Sequence, residues 1–328
     1  MAVFGTMPDG QEVVGLDIQA GALKARILTH GARLQSLEMV GLDQSLVIGA
    51  PTLEPYLGSM AYFGAMVGRF ANRIGNARFS IDGAPFATTP NFLDRHTLHG
   101  GSTGLHARIW NLADHSDRHV TLTIELPDGD EGFPGKMHID TRYEVEAPSS
   151  LRVTTTARTN RATPCSITNH AYFRLGKGDI RQQMLTINAA HYLPVDADLI
   201  PTGDIAPVER TAFDFRQPRR IGEHRYDHNF CLGEHPAPLR LAAILEDPVA
   251  GIALHVSTTE PGLQFYDGEN TQFSVDEAGT SLPSFAGLAL ETQAWPDAPN
   301  RPNFPDAILR PGDVYKNETH FEFRRFDK

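Results

Sequence analysis

The sequence predicts an all-β protein: one large antiparallel β-sandwich domain over residues 1–328, with few short helices. Apolar and polar residues alternate with a period of two in several short runs, as expected of strands with one buried face. The 29 glycines and 23 prolines are spread along the whole length, so turns recur and long helices have no room. Strand signals do not alternate with helical ones, which argues against a parallel doubly wound sheet.

Strand signals follow one another from the N-terminus onward, separated by segments rich in glycine and proline such as 127–135. Residues 52–57 and 219–224 could each form a short helical turn. The apolar first half of the stretch 284–300 has the composition of a short buried strand. The runs that alternate most regularly, and are therefore predicted as strands, are 23–28, 34–37, 120–126, 151–157 and 252–258.

Charge and composition restrict the class of partner. The chain carries 40 acidic and 29 basic side chains, a formal net charge of −11, which disfavours nucleic acid and anionic membrane surfaces because both need a basic face. This balance suits a neutral small molecule. The N-terminus lacks the features of a signal peptide, and no apolar run approaches the roughly 20 residues that span a bilayer. Two cysteines are too few for a disulfide framework, so we expect them to be reduced in a cytoplasmic monomer or homodimer.

The stretch 284–300 contains the first candidate catalytic residue. Its second half includes a glutamate, a glutamine and two prolines, which strand interiors do not accommodate well. We therefore expect Glu291 at the end of a strand where a polar loop begins, with Trp295 shielding it from water. A carboxylate held in this way is well suited to act as a base.

Further polar clusters interrupt the strand pattern. Asn72 and Arg73 lie in an apolar run, where an arginine needs a partner or a ligand. His96 and His99 are three residues apart, but no further ligands follow at a zinc spacing, so we expect no metal there. His99 precedes a Gly-Gly turn and should face a cleft, whereas His96 should be solvent-facing or structural. His170 lies between an alternating strand and two aromatic residues, a setting that also suits a hydrogen-bonded core histidine. The remaining clusters have loop-like composition and lie at 226–230 and 264–270.

Together these clusters supply amides, an arginine, histidines and carboxylates next to aromatic rings. That inventory is typical of a sugar-binding site, where planar polar groups bind hydroxyls and rings cover the sugar. By residue type alone it fits a lectin-like module, a glycosidase or a sugar isomerase. Neither a nucleophilic serine elbow nor a Cys-His arrangement is present to support nucleophilic hydrolysis.

The order and wording of the clusters resemble the aldose 1-epimerase, or galactose mutarotase, family across nearly the whole chain. The resemblance implies the galactose mutarotase-like supersandwich, in agreement with the strand pattern. It also implies an isomerase of carbohydrate metabolism that interconverts the α and β anomers of a free aldose. The segments that carry the resemblance are 4–10, 68–74 (Gly-Arg-Phe-Ala-Asn-Arg-Ile), 98–101 (Leu-His-Gly-Gly), 130–135, 169–173 (Asn-His-Ala-Tyr-Phe), 227–230, 290–300 (Leu-Glu-Thr-Gln-Ala-Trp-Pro-Asp-Ala-Pro-Asn) and 309–315.

The resemblance also implies roles for individual residues. Glu291 matches the catalytic base, which removes the proton of the anomeric hydroxyl, and His170 the catalytic acid, which protonates the ring oxygen. The ring then opens, the C1–C2 bond rotates and the ring closes on the other face, without a cofactor, a metal or a covalent intermediate. The alternatives are a non-catalytic sugar-binding protein on the same fold and, less favoured, a glycosidase that pairs Glu291 with Asp227. The residues that match the sugar-binding positions of the family are Asn72, Arg73, His99, Asp227 and Gln264.

Two segments depart from the family pattern. The family usually has a hydroxyl residue at Ala171 and an amide at Arg174, and residues 265–270 read Phe-Tyr-Asp-Gly-Glu-Asn, with Asp267, Gly268 and Glu269 in place of the usual Tyr-Thr-Gly-Asn wording. We expect both segments near the sugar pocket. They suggest a substrate other than galactose or glucose, such as a pentose, a deoxy sugar or an acidic sugar attracted by Arg174.

Overall fold

The computed structural model describes residues 1–326 and confirms the predicted all-β architecture. Within this range the named strands pair antiparallel, and they form one nine-stranded, one six-stranded and one four-stranded sheet together with four short two-stranded pairs. The longest helix is the five-residue 3-10 turn Glu269–Phe273.

The nine-stranded sheet spans the largest part of the fold. Along its central strands every second residue is buried, and the intervening residues are polar and face solvent, which explains the period of two in the sequence. In spatial order its strands are Asn111–His115, His119–Leu126, Met137–Glu146, Ser150–Thr159, Tyr315–Arg325, Ile252–Thr258, Arg240–Asp247, Met184–Ile187 and Arg219–Arg220.

The other two sheets pack against the buried face of the first. One hydrophobic cluster contains apolar residues from all three sheets, among them Ile18, Tyr143, Leu254, Phe265 and Phe323. The six-stranded sheet consists, in order, of Tyr172–Phe173, Leu288–Gln293, Gly262–Tyr266, Asp227–Cys231, His191–Tyr192 and Ala206–Pro207. The four-stranded sheet consists of Ala2–Thr6, Glu12–Ala20, Leu23–Leu28 and Arg33–Met39.

Short strand pairs and 3-10 helices connect the sheets. The paired strands are Met66–Val67 with Thr168–Asn169, Arg73–Ile74 with Thr97–Leu98, Arg78–Ile81 with Ala84–Ala87, and Thr163–Pro164 with Ile308–Leu309. The 3-10 helices are Glu54–Leu57, Gly75–Ala77, Leu105–Ala107, Asp130–Gly132, Ile180–Gln182, Glu269–Phe273 and Ala298–Asn300.

The predicted strands are confirmed with small shifts at their ends, and 252–258 agrees with Ile252–Thr258 without change. The helical turn predicted within 52–57 is confirmed as Glu54–Leu57. The turn predicted at 219–224 is wrong, because Arg219–Arg220 pairs with Met184 and Leu185 at the edge of the nine-stranded sheet. The local composition of this segment could not predict its pairing, because the partner strand is distant in sequence.

Among residues 1–326, no helix is both long enough and apolar enough to cross a membrane.

Candidate active site

A cavity of about 580 Å³ lies against one face of the six-stranded sheet. Its four adjacent strands Tyr172–Phe173, Leu288–Gln293, Gly262–Tyr266 and Asp227–Cys231 contribute Tyr172, Glu291, Tyr266 and Asp227 to the lining. The strand Asp227–Cys231 also contributes His228. Connecting segments supply the other side chains around the cavity: Ser59, Tyr62, Phe63, Asn72, Arg73, Phe92, Leu98, His99, His170, Leu199, Arg225, Tyr226, Glu269, Asn270 and Phe273.

Glu291 lies inside a strand, and the prediction that it ends one is wrong. All six residues of Leu288–Gln293 are buried, because the polar side chains after Glu291 also lie in the interior of the fold. Burial, reinforced by the negative charge of Asp227 and opposed by Arg73, raises the pKa of Glu291 well above its ordinary value. Its Oε2 atom has no hydrogen-bond partner within residues 1–326.

His170 faces Glu291 across the cavity, and its Nε2 atom lies 3.6 Å from Oε1 of Glu291. Burial lowers the pKa of His170 to about 4. The imidazole ring stacks on Tyr172 with ring centroids 5.0 Å apart and meets His99 edge-on at 5.1 Å. The pKa shifts of the two residues are opposite in direction, which is the usual arrangement of an acid and base pair.

A chain of hydrogen bonds links the predicted sugar-binding residues. The Oδ1 atom of Asn72 accepts from the backbone N–H of Arg73 at 2.9 Å and from its Nη1 at 3.3 Å. Nη2 of Arg73 donates to Oδ2 of Asp227 at 3.0 Å, and Nε2 of Gln264 donates to Oδ1 at 2.6 Å. Burial alone would raise the pKa of Asp227, but the Arg73 charge and these two hydrogen bonds hold it below its ordinary value. Asp227 is therefore an ionised hydrogen-bond acceptor at the cavity.

His99 presents a fixed hydrogen-bond donor to the cavity. Its Nδ1 atom accepts from the backbone N–H of Asn72 at 3.1 Å. Burial keeps the pKa of His99 well below its ordinary value, so the ring is neutral. A neutral imidazole that accepts at Nδ1 carries its proton on Nε2. The positive φ angles of Gly100 and Gly101, 85° and 97°, form the predicted turn behind it.

The same tautomer argues against a metal centre, even though ligand atoms of His99, His170 and Glu291 lie within 4.8 Å of one another. A metal requires an imidazole lone pair directed at it. Nδ1 of His99 is engaged by Asn72, and Nε2 carries the proton. His170 and Glu291 alone fall short of the three or four protein ligands of a zinc site.

The structure brings six of the seven predicted site residues into the cavity lining and places the seventh behind it. Gln264 is buried and is not among the lining residues; it lies opposite Glu291 in the strand register and contacts Asp227. The predicted shielding by Trp295 is wrong. Trp295 packs against Phe304 in a separate cluster and donates its indole N–H to Pro261.

One of the two atypical segments lies away from the cavity. Ala171 is part of the hydrophobic core. Arg174 lies 3.8 Å from Asp276 and lines a separate groove, so the expectation that it faces the sugar is wrong. Its ion-pair partner Asp276 lies about a hundred positions later in the chain, so the local sequence does not predict this contact.

The other atypical segment does reach the cavity. Asp267 is buried and accepts from Nε of Arg225 at 2.8 Å, while Glu269 at the cavity lining also pairs with Arg225. Asp267 further accepts the backbone N–H of Tyr226 at 3.0 Å, which joins the two loops that flank Asp227 and Tyr266. This segment therefore shapes the cavity mouth.

Sequence reasoning missed several lining residues. Tyr62, Phe92 and Arg225 lie outside the named strands and helices, and Phe273 ends the 3-10 helix Glu269–Phe273; the composition of these segments gives no signal of a site. His228 was recognisable only as part of the polar cluster 226–230, which was expected in a loop. That cluster and Gln264 instead lie on adjacent strands of the six-stranded sheet.

The chain is similar to known proteins over nearly its whole length. The family model described as aldose 1-epimerase matches residues 16–322. The galactose mutarotase of Rattus norvegicus is 39% identical over 98% of this chain and 97% of its own length. The aldose 1-epimerase of Escherichia coli K12 is 33% identical over 96% of each chain. Among solved structures, an aldose epimerase homologue from C. elegans superposes with a TM-score of 0.89 at 30% identity, covering 96% of this chain and all of the other.

We predict that His99 is neutral with its proton on Nε2 throughout the pH range in which an ordinary histidine titrates. The reason is that burial disfavours the imidazolium and Asn72 occupies Nδ1. ¹⁵N NMR of selectively labelled protein, with His99→Gln to assign the resonance, reads the tautomer directly. Protonation of His99 near pH 6.5, or a proton on Nδ1, would contradict this assignment.

Proposed function

The chain belongs to the aldose 1-epimerase family and interconverts the α and β anomers of an aldose, and from this premise we propose that Glu291 and His170 carry the proton transfers. The observation that supports these roles is the pair itself: a buried carboxylate and a buried imidazole with Oε1 and Nε2 3.6 Å apart at one cavity. An acid and a base fixed on two sides of a small polar substrate suffice for this isomerisation.

The reaction needs both transfers in a coordinated order. The carboxylate of Glu291 removes the proton of the anomeric hydroxyl, while the imidazolium of His170 donates a proton to the ring oxygen. The bond between C1 and the ring oxygen breaks, and an open-chain aldehyde forms. Rotation about C1–C2 exposes the other carbonyl face. The two transfers then run in reverse and give the opposite anomer.

The pair holds one proton throughout, and burial decides where that proton prefers to be. Before ring opening the pair is charged, as carboxylate and imidazolium; after ring opening both groups are neutral. Desolvation raises the pKa of Glu291 and lowers that of His170, which favours the neutral form. The cavity therefore stabilises the pair in the state that accompanies the open-chain intermediate. The apparent pKa values belong to the pair rather than to either residue alone.

The remaining lining residues bind and polarise the sugar in this proposal. The ionised Asp227 accepts from hydroxyls, and Arg73 is held beside it by Asn72 and by the Phe92 ring, whose centroid lies 4.7 Å from the guanidinium carbon. Nε2–H of His99 donates toward the ring oxygen region, where negative charge develops as the ring opens. Gln264 orients Asp227 from behind.

We propose a neutral aldose as the substrate. Two arginines line the described part of the cavity, Arg73 and Arg225, and each already pairs with a carboxylate: Arg73 with Asp227, and Arg225 with Asp267 and Glu269. An anionic sugar would have to displace one of these carboxylates. With Arg174 directed elsewhere, the structure offers no cation that favours an acidic sugar among residues 1–326.

The alternatives of a non-catalytic sugar-binding protein and a glycosidase have no observation in their favour beyond those that support the isomerase. Asp227, the second carboxylate that a glycosidase would require, is engaged at both oxygens by Arg73 and Gln264. We further propose a single domain over residues 1–328, supported by the shared core, in a cytoplasmic monomer or homodimer that uses no cofactor.

Removal of either transfer group should abolish most of the catalysis. Glu291→Gln cannot accept the proton and His170→Asn cannot donate one, so each should lower kcat by about 10²–10⁴-fold. Polarimetry on freshly dissolved α-galactose measures the rate above the spontaneous one. Glu260→Gln is the matched control, since Glu260 is equally buried but does not line the cavity, and it should keep wild-type activity. Wild-type turnover by Glu291→Gln would refute the assignment.

The pH dependence of kcat/KM should be bell-shaped, with its acid limb displaced below the ordinary histidine value. Activity requires one proton on the pair. As the pH falls through about 4, His170 takes a second proton onto the pair and Glu291 is no longer available as a base. As the pH rises through the raised pKa of Glu291, the pair loses its proton and no acid remains. An acid limb near 6.5, measured after subtraction of the uncatalysed rate, would contradict the shared-proton account.

Substrate preference should follow charge. Neutral aldoses such as galactose, glucose and xylose should be turned over, whereas galacturonate and galactose 6-phosphate should lose at least about tenfold in kcat/KM, because the lining arginines are already paired. Rates by polarimetry across this panel test the proposal, with Glu269→Gln as a variant that leaves Arg225 less neutralised and should relax the discrimination. Preferred turnover of an anionic sugar by the wild-type enzyme would refute it.

A further inference from the structure

We propose that Arg33 is a positioning residue for this reaction: its buried guanidinium fixes the segment 60–65, and through it the Tyr62 ring and the backbone of His170. This inference rests on the role proposed above for His170. Arg33 does not line the cavity, and it lies on the four-stranded sheet in the strand Arg33–Met39.

Arg33 is a fully buried cation that pairs with no carboxylate within the described residues. Its guanidinium instead donates to backbone carbonyls: Nη2 to Ala61 at 2.8 Å and to His106 at 3.4 Å, and Nη1 to Met60 at 3.2 Å and to Phe63. Its carbon atom lies 4.3 Å from the centroid of the Tyr56 ring. The guanidinium thus holds three carbonyls of one turn, those of residues 60, 61 and 63, and one carbonyl of the segment beside it.

A buried charge without a counter-ion is strongly unfavourable, and an apolar side chain of similar volume often gives a core of equal or greater stability. Packing alone therefore does not require an arginine here. What an apolar residue cannot supply is a rigid set of donors that holds several carbonyls at once. We therefore infer that Arg33 serves to hold this turn in place.

The turn that Arg33 holds reaches the catalytic pair by two routes. The first is the ring of Tyr62, which lies 4.8 Å from His99, 4.6 Å from His106 and 6.2 Å from His170 between ring centroids. The ring lines the cavity beside His99 and His170.

The second route is through the backbone. The N–H of Gly64 donates to the carbonyl of His170, and the N–H of His170 donates to the carbonyl of Ala65, both at 2.9 Å. The N–H of Leu34, next to Arg33, donates to the carbonyl of Gly64 at 2.9 Å. Gly64 has φ of 69°, and a β-carbon there would lie 2.1 Å from the carbonyl oxygen of Leu34, so the two segments are in close backbone contact. The strand of Arg33, the turn and His170 form one connected unit.

The charge of Arg33 has a second effect on the same unit. Together with burial it keeps the pKa of His170 low, and it acts in the same direction on His30 and His106. Removal of the cation should therefore make His170 easier to protonate. The titratable and charged groups that face His170 from the elements packed around it are Arg33, Tyr62, Arg73, His99, His106, Tyr172, Asp227 and Glu291.

Two substitutions separate the fork from the charge. Arg33→Lys keeps the charge but loses the planar set of donors. We expect kcat to fall about ten- to hundredfold and KM to change less than about threefold, because Arg33 donates to none of the proposed sugar-binding residues. Arg33→Met loses both, and we expect in addition that the acid limb of kcat/KM moves upward in pH. Arg69→Met is the matched control: Arg69 is also buried, donates to carbonyls of Pro134 and Gly135 and does not line the cavity. It should leave the acid limb at its wild-type position.

A double-mutant cycle keeps the test decisive if Arg33→Met does not fold. The losses in kcat from Arg33→Lys and Tyr62→Ala should combine to less than their product, since both disturb one unit. Losses that multiply, or a wild-type kcat in Arg33→Lys, would overturn the inference. Failure of the proposed function is distinguishable, because it would appear as an active Glu291→Gln, whereas an inactive Glu291→Gln beside an unimpaired Arg33→Lys sinks only the role of Arg33.

Discussion

Exclusion of water from Glu291 and His170 is the constraint on which the chemistry of this fold depends. Two ionisable groups lie 3.6 Å apart in a setting that disfavours charge on either. If either group were buried without the other, its charge would have no compensating partner. If water reached the pair, the pKa shifts would be lost. The proposed reaction uses this setting, because ring opening discharges the pair and reclosure charges it again.

The six-stranded sheet fixes the position of Glu291 and its neighbours. Antiparallel register places Gln264 directly opposite Glu291 and Asn229 opposite Gln264, so these three side chains point to the same side of the sheet. Asp227 lies two residues before Asn229 on the same strand, so its side chain points to that side too. His170 comes from outside this row, from a segment hydrogen-bonded to 64 and 65, which explains why the turn near Arg33 bears on the geometry of the pair.

Local sequence patterns predicted the fold well because the period of two is imposed by burial of one sheet face, as in Ile252–Thr258. Glu291 shows where that reasoning stops. The polar residues Thr292 and Gln293 suggested the end of a strand, yet Thr292 is accommodated inside: its hydroxyl lies 2.6 Å from that of Thr319, and Nδ2 of Asn317 donates to its carbonyl at 3.0 Å. Partners from a distant strand made a polar segment suitable for the interior. The prediction that Arg174 faces the sugar was wrong for the same reason, since its partner Asp276 is distant in sequence. The juxtaposition of His170 with Glu291 followed from family resemblance, because no periodicity relates positions so far apart.

The protonation state of Glu291 in the free enzyme tests the central claim most directly. Infrared difference spectroscopy at neutral pH between wild type and Glu291→Gln, with and without bound sugar, reports whether the side chain is a carboxylic acid or a carboxylate. The shared-proton account predicts the C=O band of a neutral carboxylic acid in the free enzyme that is missing in the variant. A carboxylate band at Glu291, together with a protonated His170 in the empty cavity, would contradict it.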